Sequence, residues 1–277
     1  MGSKKIILFA IIAIVIVMII GAGVYFIVFQ GTGNLPVVSE EKKEEDNRNA
    51  KYEELRNNFN ISFSNSVRKS ITISSEPEKV DSSKEIVYSK YEIDLFSEDK
   101  YQMKVSIPYI NLPGEEIDKI NKEIDQIFGS KVNSVIQSKE MLSVYNVDYV
   151  AYLNDDMLSL AIRATLKEND MPQRVIIKTY NYNFARKEQV YLGTLLVRNG
   201  LDRQDVQNKI NTTIEEIASI NEGLEASGYT VYQRNVLSKI YKLENIDTYF
   251  VDQNDYLYIV FAYGNKNYTS ELDLVIF

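Results

Sequence analysis

The feature that most constrains this chain is a run of 24 residues, Ile6 to Phe29, without a charge or a strongly polar side chain. At about 1.5 Å per residue it reaches about 36 Å as a helix, enough to cross a hydrocarbon core of about 30 Å. Secretory leaders carry apolar cores of only about 7 to 15 residues. Here the run continues through Val24 to Phe29, past the small residues Gly21-Ala22-Gly23 that would suit cleavage. The expectation is an uncleaved transmembrane anchor.

Charge sets its orientation. Lys4 and Lys5 precede the run, and the first charge after it is Glu40. Positive flanks stay in the cytoplasm, so residues 1–5 form a cytoplasmic tail, 6–29 the anchor, and everything from Gln30 onward lies outside. The expected location is the cell membrane, single-pass, with the C-terminal part extracytoplasmic. Gly2 is not a myristoylation site, because position 6 is Ile rather than Ser or Thr. Five cytoplasmic residues cannot form a signalling domain.

Composition now removes whole reaction classes, since the chain has no Cys, no His and no Trp. Ser-His-Asp triads, Cys-His nucleophiles, thiolate or imidazole zinc sites and disulfides all fall away. Any catalysis would rest on carboxylates, Lys, Tyr or Ser, or on a metal held by oxygen ligands. No catalytic, cofactor-binding or metal-binding residue is assigned. A net charge of -8 counts against nucleic acid, which requires a basic footprint. The absence of Cys fits an exported bacterial protein better than a eukaryotic ectodomain of this size, and a Gram-positive bacterium is the expected source.

Residues 30–84 read as a polar stalk. Glu40-Glu41-Lys42-Lys43-Glu44-Glu45-Asp46 is followed by eight serines between Ile61 and Lys84, with room for a short helix near Tyr52 to Arg56 and a weak strand at Ile71 to Ile73. Periodicity returns at Tyr91 to Leu95 and is clean from Tyr101 to Tyr109, where apolar and polar residues alternate as in a half-buried strand. Ile117, Ile120, Ile124, Ile127, Phe128 and Val135 predict a helix over 115–138, opened by Glu115 and Glu116. Alternation over Tyr145 to Leu153 and Leu158 to Leu166, broken at Asn154-Asp155-Asp156, predicts a hairpin. A third strand spans about 174–184.

The pattern then repeats. Asp202 caps a helix marked by Val206, Ile210, Ile214 and Ile217. A short helix over Asn235 to Leu243 leads to strands near 248–251, 256–263 and 271–277. Blocks of helices and hairpins, without strict strand-helix-strand alternation, predict an α+β fold with antiparallel sheets and helices packed on one face. Two α+β subdomains are expected, over residues 85–184 and 185–277.

Three segments together resemble the exported domain pair of lysozyme-sensing anti-sigma factors of the RsiV type and of the N-terminal region of PdaC-type peptidoglycan deacetylases. They are Val105 to Leu112 with Ile120-Asn121-Lys122-Glu123-Ile124; Tyr180 to Phe184 with Val190 to Leu196; and Tyr256 to Tyr263 with Tyr268 and Leu272 to Ile276. The resemblance spans about Tyr91 to Phe277. It departs from the family pattern where a Gly-Ala-His turn is replaced by Glu168 to Gln173, where Lys187 takes the place of a usual Gly, and where no Gly follows Tyr268. What it implies is a membrane-tethered extracytoplasmic module that binds a lysozyme-like protein or wall peptidoglycan. Sigma-factor inhibition and deacetylation are not carried over.

Two weighings stay open at this level. Asp155-Asp156 and Asp252 with Asp255 are acids for a glycan hydrolase, but they sit in predicted turns, where Asp bonds its own backbone. An EF-hand reading of the second turn fails, with Leu257 and Tyr263 where Gly and Glu are required. Tyr180, Tyr182, Tyr256, Tyr258, Tyr263 and Tyr268 are either strand formers in the core or, where a face is exposed, an aromatic platform for a partner. The expected function is a binding or sensor module, with a carboxylate-based glycan hydrolase or a ligand-free tether as alternatives.

Overall fold

Alternation at period two sends every second side chain to one side of a strand, and the large sheet of this protein is built from segments with that pattern. The computed structural model describes residues 40–71, 73, 76–98, 100–138 and 142–277. The apolar run from Ile6 to Phe29, with Lys4 and Lys5, lies outside them. Among the described residues no helix is long and apolar enough to cross a membrane. The chain divides after Glu53, and the fold is that of the unit Glu54 to Phe277.

Helix α1 (Glu40–Ser62) runs through this division and is followed by β1 (Ser66–Lys69). The stalk expected over 30–84 therefore holds regular structure. Its Phe59 and Phe63 are buried and pack edge to face with ring centroids 5.3 Å apart. Arg163 lies over the Phe63 ring at 4.7 Å and donates to the Asn60 carbonyl at 3.0 Å. Two aromatics one helical turn apart were masked by the polarity of the residues around them.

The large sheet continues with β2 (Val87–Ser97), β3 (Tyr101–Ile110), β4 (Ser143–Asn154), β5 (Met157–Glu168), β6 (Arg174–Asn183) and β7 (Glu188–Gln189), in spatial order β2-β3-β4-β5-β6-β7. It is mixed rather than antiparallel throughout. β3 runs parallel to β4 over Tyr101–Val105 and Ser143–Val147, and β1 runs parallel to β4 further along, at Val150–Leu153. The physical reason is the connection: the helical segment between β3 and β4 crosses over the sheet, which returns the chain in the same direction.

That segment is α2 (Glu115–Ile124), a π turn over Asp125–Gly129 and α3 (Ser130–Gln137). Ile117, Ile120, Ile124, Phe128, Val132 and Val135 are buried against Leu158, Leu160, Ile162, Ala164, Leu166, Tyr180 and Tyr182 of the sheet. The wider π turn keeps Phe128 in line with Ile124 and turns Ile127 outward, where it is 40% exposed rather than in the core as its spacing suggested. Asn121 of the Ile-Asn segment is structural. Its amide accepts from Ile110 N at 2.8 Å and donates to Ile110 O at 2.9 Å, closing the end of β3.

A second layer lies on the far side of the large sheet. β8 (Tyr249–Val251), β9 (Leu257–Ala262) and β10 (Leu272–Ile276) form a small antiparallel sheet in the order β10-β9-β8. Helices α4 (Leu192–Arg198) and α5 (Arg203–Ala226) share its core through Leu195, Leu196, Val206, Ile210 and Ile214. The helices thus occupy two layers, not one face. Asp202 caps α5 as expected, accepting from Gln204 N and Asp205 N. The helix expected over Asn235 to Leu243 is replaced by 3-10 turns at Lys239–Tyr241 and Leu243–Asn245. Tyr241 and Leu243 are both buried two residues apart, which a continuous α-helix would point to different sides.

One glycine fixes how the C-terminal layer meets the large sheet. A short helix α6 (Gly264–Asn267) sits against β6 so closely that a Cβ at Gly264 would stand 2.8 Å from Val175 N and nearer still to its carbonyl. Only hydrogen fits there.

Candidate functional site: the free edge of β6

β6 has ten residues, but its outer neighbour β7 has two and covers only Tyr182 and Asn183. In an antiparallel strand the backbone groups of alternate residues point to alternate edges. Val190 N donates to Asn181 O at 2.8 Å and Val175 N donates to Thr269 O at 3.3 Å, so the odd-numbered residues of β6 face outward. Between those two anchors lie Ile177 and Thr179. Among the described residues their outward N–H and C=O groups have no partner, although both residues are buried.

Two adjoining cavities, of about 640 and 280 Å³, follow this edge and share Lys178, Ile246 and Asp247. The larger is walled by β6, by Val260 to Tyr263 of β9 and its extension, and by Lys239, Lys266 and the outward-turned Ile127. The smaller is walled by Glu123, Tyr180, Val190 and Tyr249. β8 closes one side through side chains of the large sheet: Tyr249 N donates to Thr179 Oγ1 at 3.0 Å, and Asn181 Nδ2 donates to Tyr249 O at 2.8 Å.

The groove carries an unusual charge for this protein. Against a net charge of -8, its larger part holds Lys178, Lys239 and Lys266 with a single acid, Asp247. Lys178 is paired with Glu123 at 3.1 Å, and Asp247 accepts from the Thr248 hydroxyl at 2.9 Å. Lys239 and Lys266 are exposed and have no ion-pair partner among the described residues. The Tyr180 hydroxyl is buried close to Glu123, and burial, reinforced by that carboxylate, pushes its pKa far up so that it stays neutral.

The six tyrosines singled out by the sequence do not form one surface. Tyr180 and Tyr182 share a face, but it is the core face under α2 and α3. Tyr258 is buried in a stack with Phe250, centroids 4.6 Å apart, and Tyr263 is 1% exposed. Those four are packing residues, because strand alternation placed them on the sheet faces that other layers cover. Tyr256 is half-buried and Tyr268 is 48% exposed, its ring under Arg174 at 4.9 Å. Of the six, only Tyr180 and Tyr263 line the groove.

The acids of the two turns are tied down. Arg198 pairs with Asp155 at 2.9 Å and Asp156 at 3.4 Å, and reaches Asp255 at 4.0 Å, so one guanidinium holds both turns. Asp252 is buried and accepts from Asn254 N at 2.8 Å and Tyr256 N at 3.1 Å. Burial raises its pKa, and those two backbone bonds only partly offset that. A second polar cluster fills the C-terminal layer: Arg234 grips Asp273 with Nε at 3.0 Å and Nη2 at 2.8 Å, and also meets Glu271. Tyr263 donates to Asp273, and Tyr241 lies 2.8 Å from the Tyr263 hydroxyl, its own pKa pushed up to about 12 by burial. Every charge in that cluster is partnered, as a structural network requires. Among the described residues no group of three or more acids is placed to hold a metal ion.

Ile177, Lys178, Thr179, Lys239 and Lys266 were not singled out from the sequence. Lysines that meet only through the fold leave no local motif. The one usable signal was a long alternating strand followed by a very short return, which implies an uncovered edge.

The sequence matches no protein-family model and no curated protein. Among solved structures, a DUF3298 family protein from Pseudomonas aeruginosa PAO1 is similar at 10% identity and TM-score 0.27, over 42% of this chain and 66% of that one. A DUF3298 family member from Bacteroides fragilis NCTC 9343 is similar at 8% identity and TM-score 0.31, over 58% of this chain and 74% of that one. Both of these neighbours are DUF3298 family proteins.

Proposed function

We propose that this chain is a membrane-anchored extracytoplasmic binding module of the bacterial cell envelope, of the kind its RsiV- and PdaC-like segments suggest, and that its ligand seat is the β6-edge groove. The observation that carries this reading is the open edge at Ile177 and Thr179, buried yet unpaired among the described residues, Ile177 lining the larger, lysine-bearing cavity and Thr179 the smaller one beside it. Buried backbone groups are almost always paired, so an edge held open invites a ligand. A lysozyme-like protein and wall peptidoglycan are the partners to test.

A hydrolase is the second reading, because Glu123 and Asp247 face the same smaller cavity. Against it, Glu123 is engaged by Lys178 and Asp247 by Thr248. One experiment separates the two. The full-length chain in native membranes is incubated with lysozyme and with purified peptidoglycan, and capture and turnover are measured in the same samples. Capture without turnover is the expected result; glycan cleavage, lost in Glu123→Gln, would establish the hydrolase instead. Alkaline carbonate washing of those membranes tests the anchor, with the chain expected to stay in the pellet.

A further inference from the structure

We infer that the groove receives an extended peptide segment bearing acidic side chains, added as a strand to the free edge of β6; this rests on the groove being the ligand seat. The backbone argues for a peptide. Ile177 and Thr179 together offer two N–H donors and two C=O acceptors at alternate positions along one edge, the spacing that a neighbouring strand matches residue for residue. A glycan has no such ladder of alternating donors and acceptors. From Val175 to Asn181 the edge covers six residue steps, about 20 Å at about 3.3 Å each, and both ends are plugged, by Thr269 on Val175 and by Val190 on Asn181. Those plugs limit the occupant to about three to five residues and fix its register.

Charge argues for an acidic occupant. Lys239 and Lys266 stand exposed in the wall of the larger cavity without ion pairs among the described residues, and Lys178 projects from the same strand. The one acid there, Asp247, is engaged by Thr248. With Lys178 already paired to Glu123, a strand carrying carboxylates meets the two unpaired cations Lys239 and Lys266, which outnumber Asp247 on that wall, whereas a basic strand meets those two as like charges. Apolar side chains of the occupant meet Ile127 and Ile177, which line the same cavity.

The test uses the full-length chain and three capped pentapeptides as probes: alternating Val and Glu, alternating Val and Lys, and the Val and Glu sequence with N-methylated backbone. Amide hydrogen exchange is read residue by residue. The Glu peptide is expected to slow exchange at Ile177 and Thr179 at least tenfold, while the Lys and N-methylated peptides leave both unchanged. Lys239→Glu with Lys266→Glu changes only exposed side chains, so folding is preserved, and it should reverse the preference between Glu and Lys peptides. Three results would overturn the inference: no protection at those two amides in millimolar Glu peptide, equal protection by the N-methylated or the Lys peptide, or protection confined to another edge such as β2. Envelope capture with these amides unprotected refutes the strand seat and leaves the binding module standing; peptide protection without envelope capture does the reverse.

Discussion

Replacing Arg234 by Met removes one charge from the buried network of the C-terminal layer and leaves most of the side-chain volume. In the native protein the guanidinium is bidentate on Asp273, donates to Tyr232 O at 2.6 Å, meets Glu271 and lies over the Tyr263 ring at 4.8 Å. After the change Asp273, 5% exposed, keeps only the Tyr263 hydroxyl as a side-chain partner. Breaking a buried ion pair from one side costs about 3–5 kcal/mol, and the surviving hydrogen bond places this case near 3. That is a large fraction of a typical stability of about 5–15 kcal/mol, and corresponds to a fall in Tm of about 6–12 °C for a unit of this size. Because the chain has no Trp, urea unfolding is followed by far-ultraviolet circular dichroism or Tyr fluorescence. Arg234→Met with Asp273→Leu should recover to within about 1 kcal/mol of the native protein. A single-variant cost below about 1 kcal/mol, or a double variant no more stable than the single one, would refute the reasoning.

Gly264→Ala should destabilise by about 1–3 kcal/mol, measured by the same unfolding curves, because its Cβ would overlap the backbone of Val175; a neutral result would mean that α6 and β6 can separate. Asp252→Asn keeps an oxygen for Asn254 N and Tyr256 N while discarding a buried charge, so stability at pH 7 should hold or rise. The raised folded pKa of Asp252 means that its contribution is fully present at low pH and is lost as pH rises from the ordinary Asp value through the folded one; this slope should vanish in the variant. Lys187 occupies the left-handed region with φ 56°, so Lys187→Gly should stabilise by about 0.5–1 kcal/mol, seen as a higher urea midpoint.

Most of the elements were legible because their causes are local. Alternation placed β3 to β6 and β9, apolar spacing placed α2 and α5, and Asp202 marked the start of α5. Lys187, noted as standing where the resembled family has Gly, adopts the conformation that Gly would prefer. The errors share a different cause. Phe59 and Phe63 were hidden in a polar stretch and gain their burial from strands far along the chain. The parallel pairing of β3 with β4 depends on which way a connection crosses the sheet, which periodicity does not encode. Tyr180 and Tyr182 share a face by alternation, yet a strand has two faces and only the packing of a second layer says which one is covered.

The sequence by itself determined the apolar run at the N-terminus, the reaction classes that a chain without His and Cys cannot perform, and the faces along which its strands and helices are apolar. These follow from composition and from spacing within one segment. Only the tertiary structure decided which of those faces meet, that one arginine gathers the acids of two separate turns, and that a ten-residue strand is left open where lysines from distant segments converge. The groove depends on what fails to cover β6. An uncovered edge is a relation among elements and is written in none of them alone.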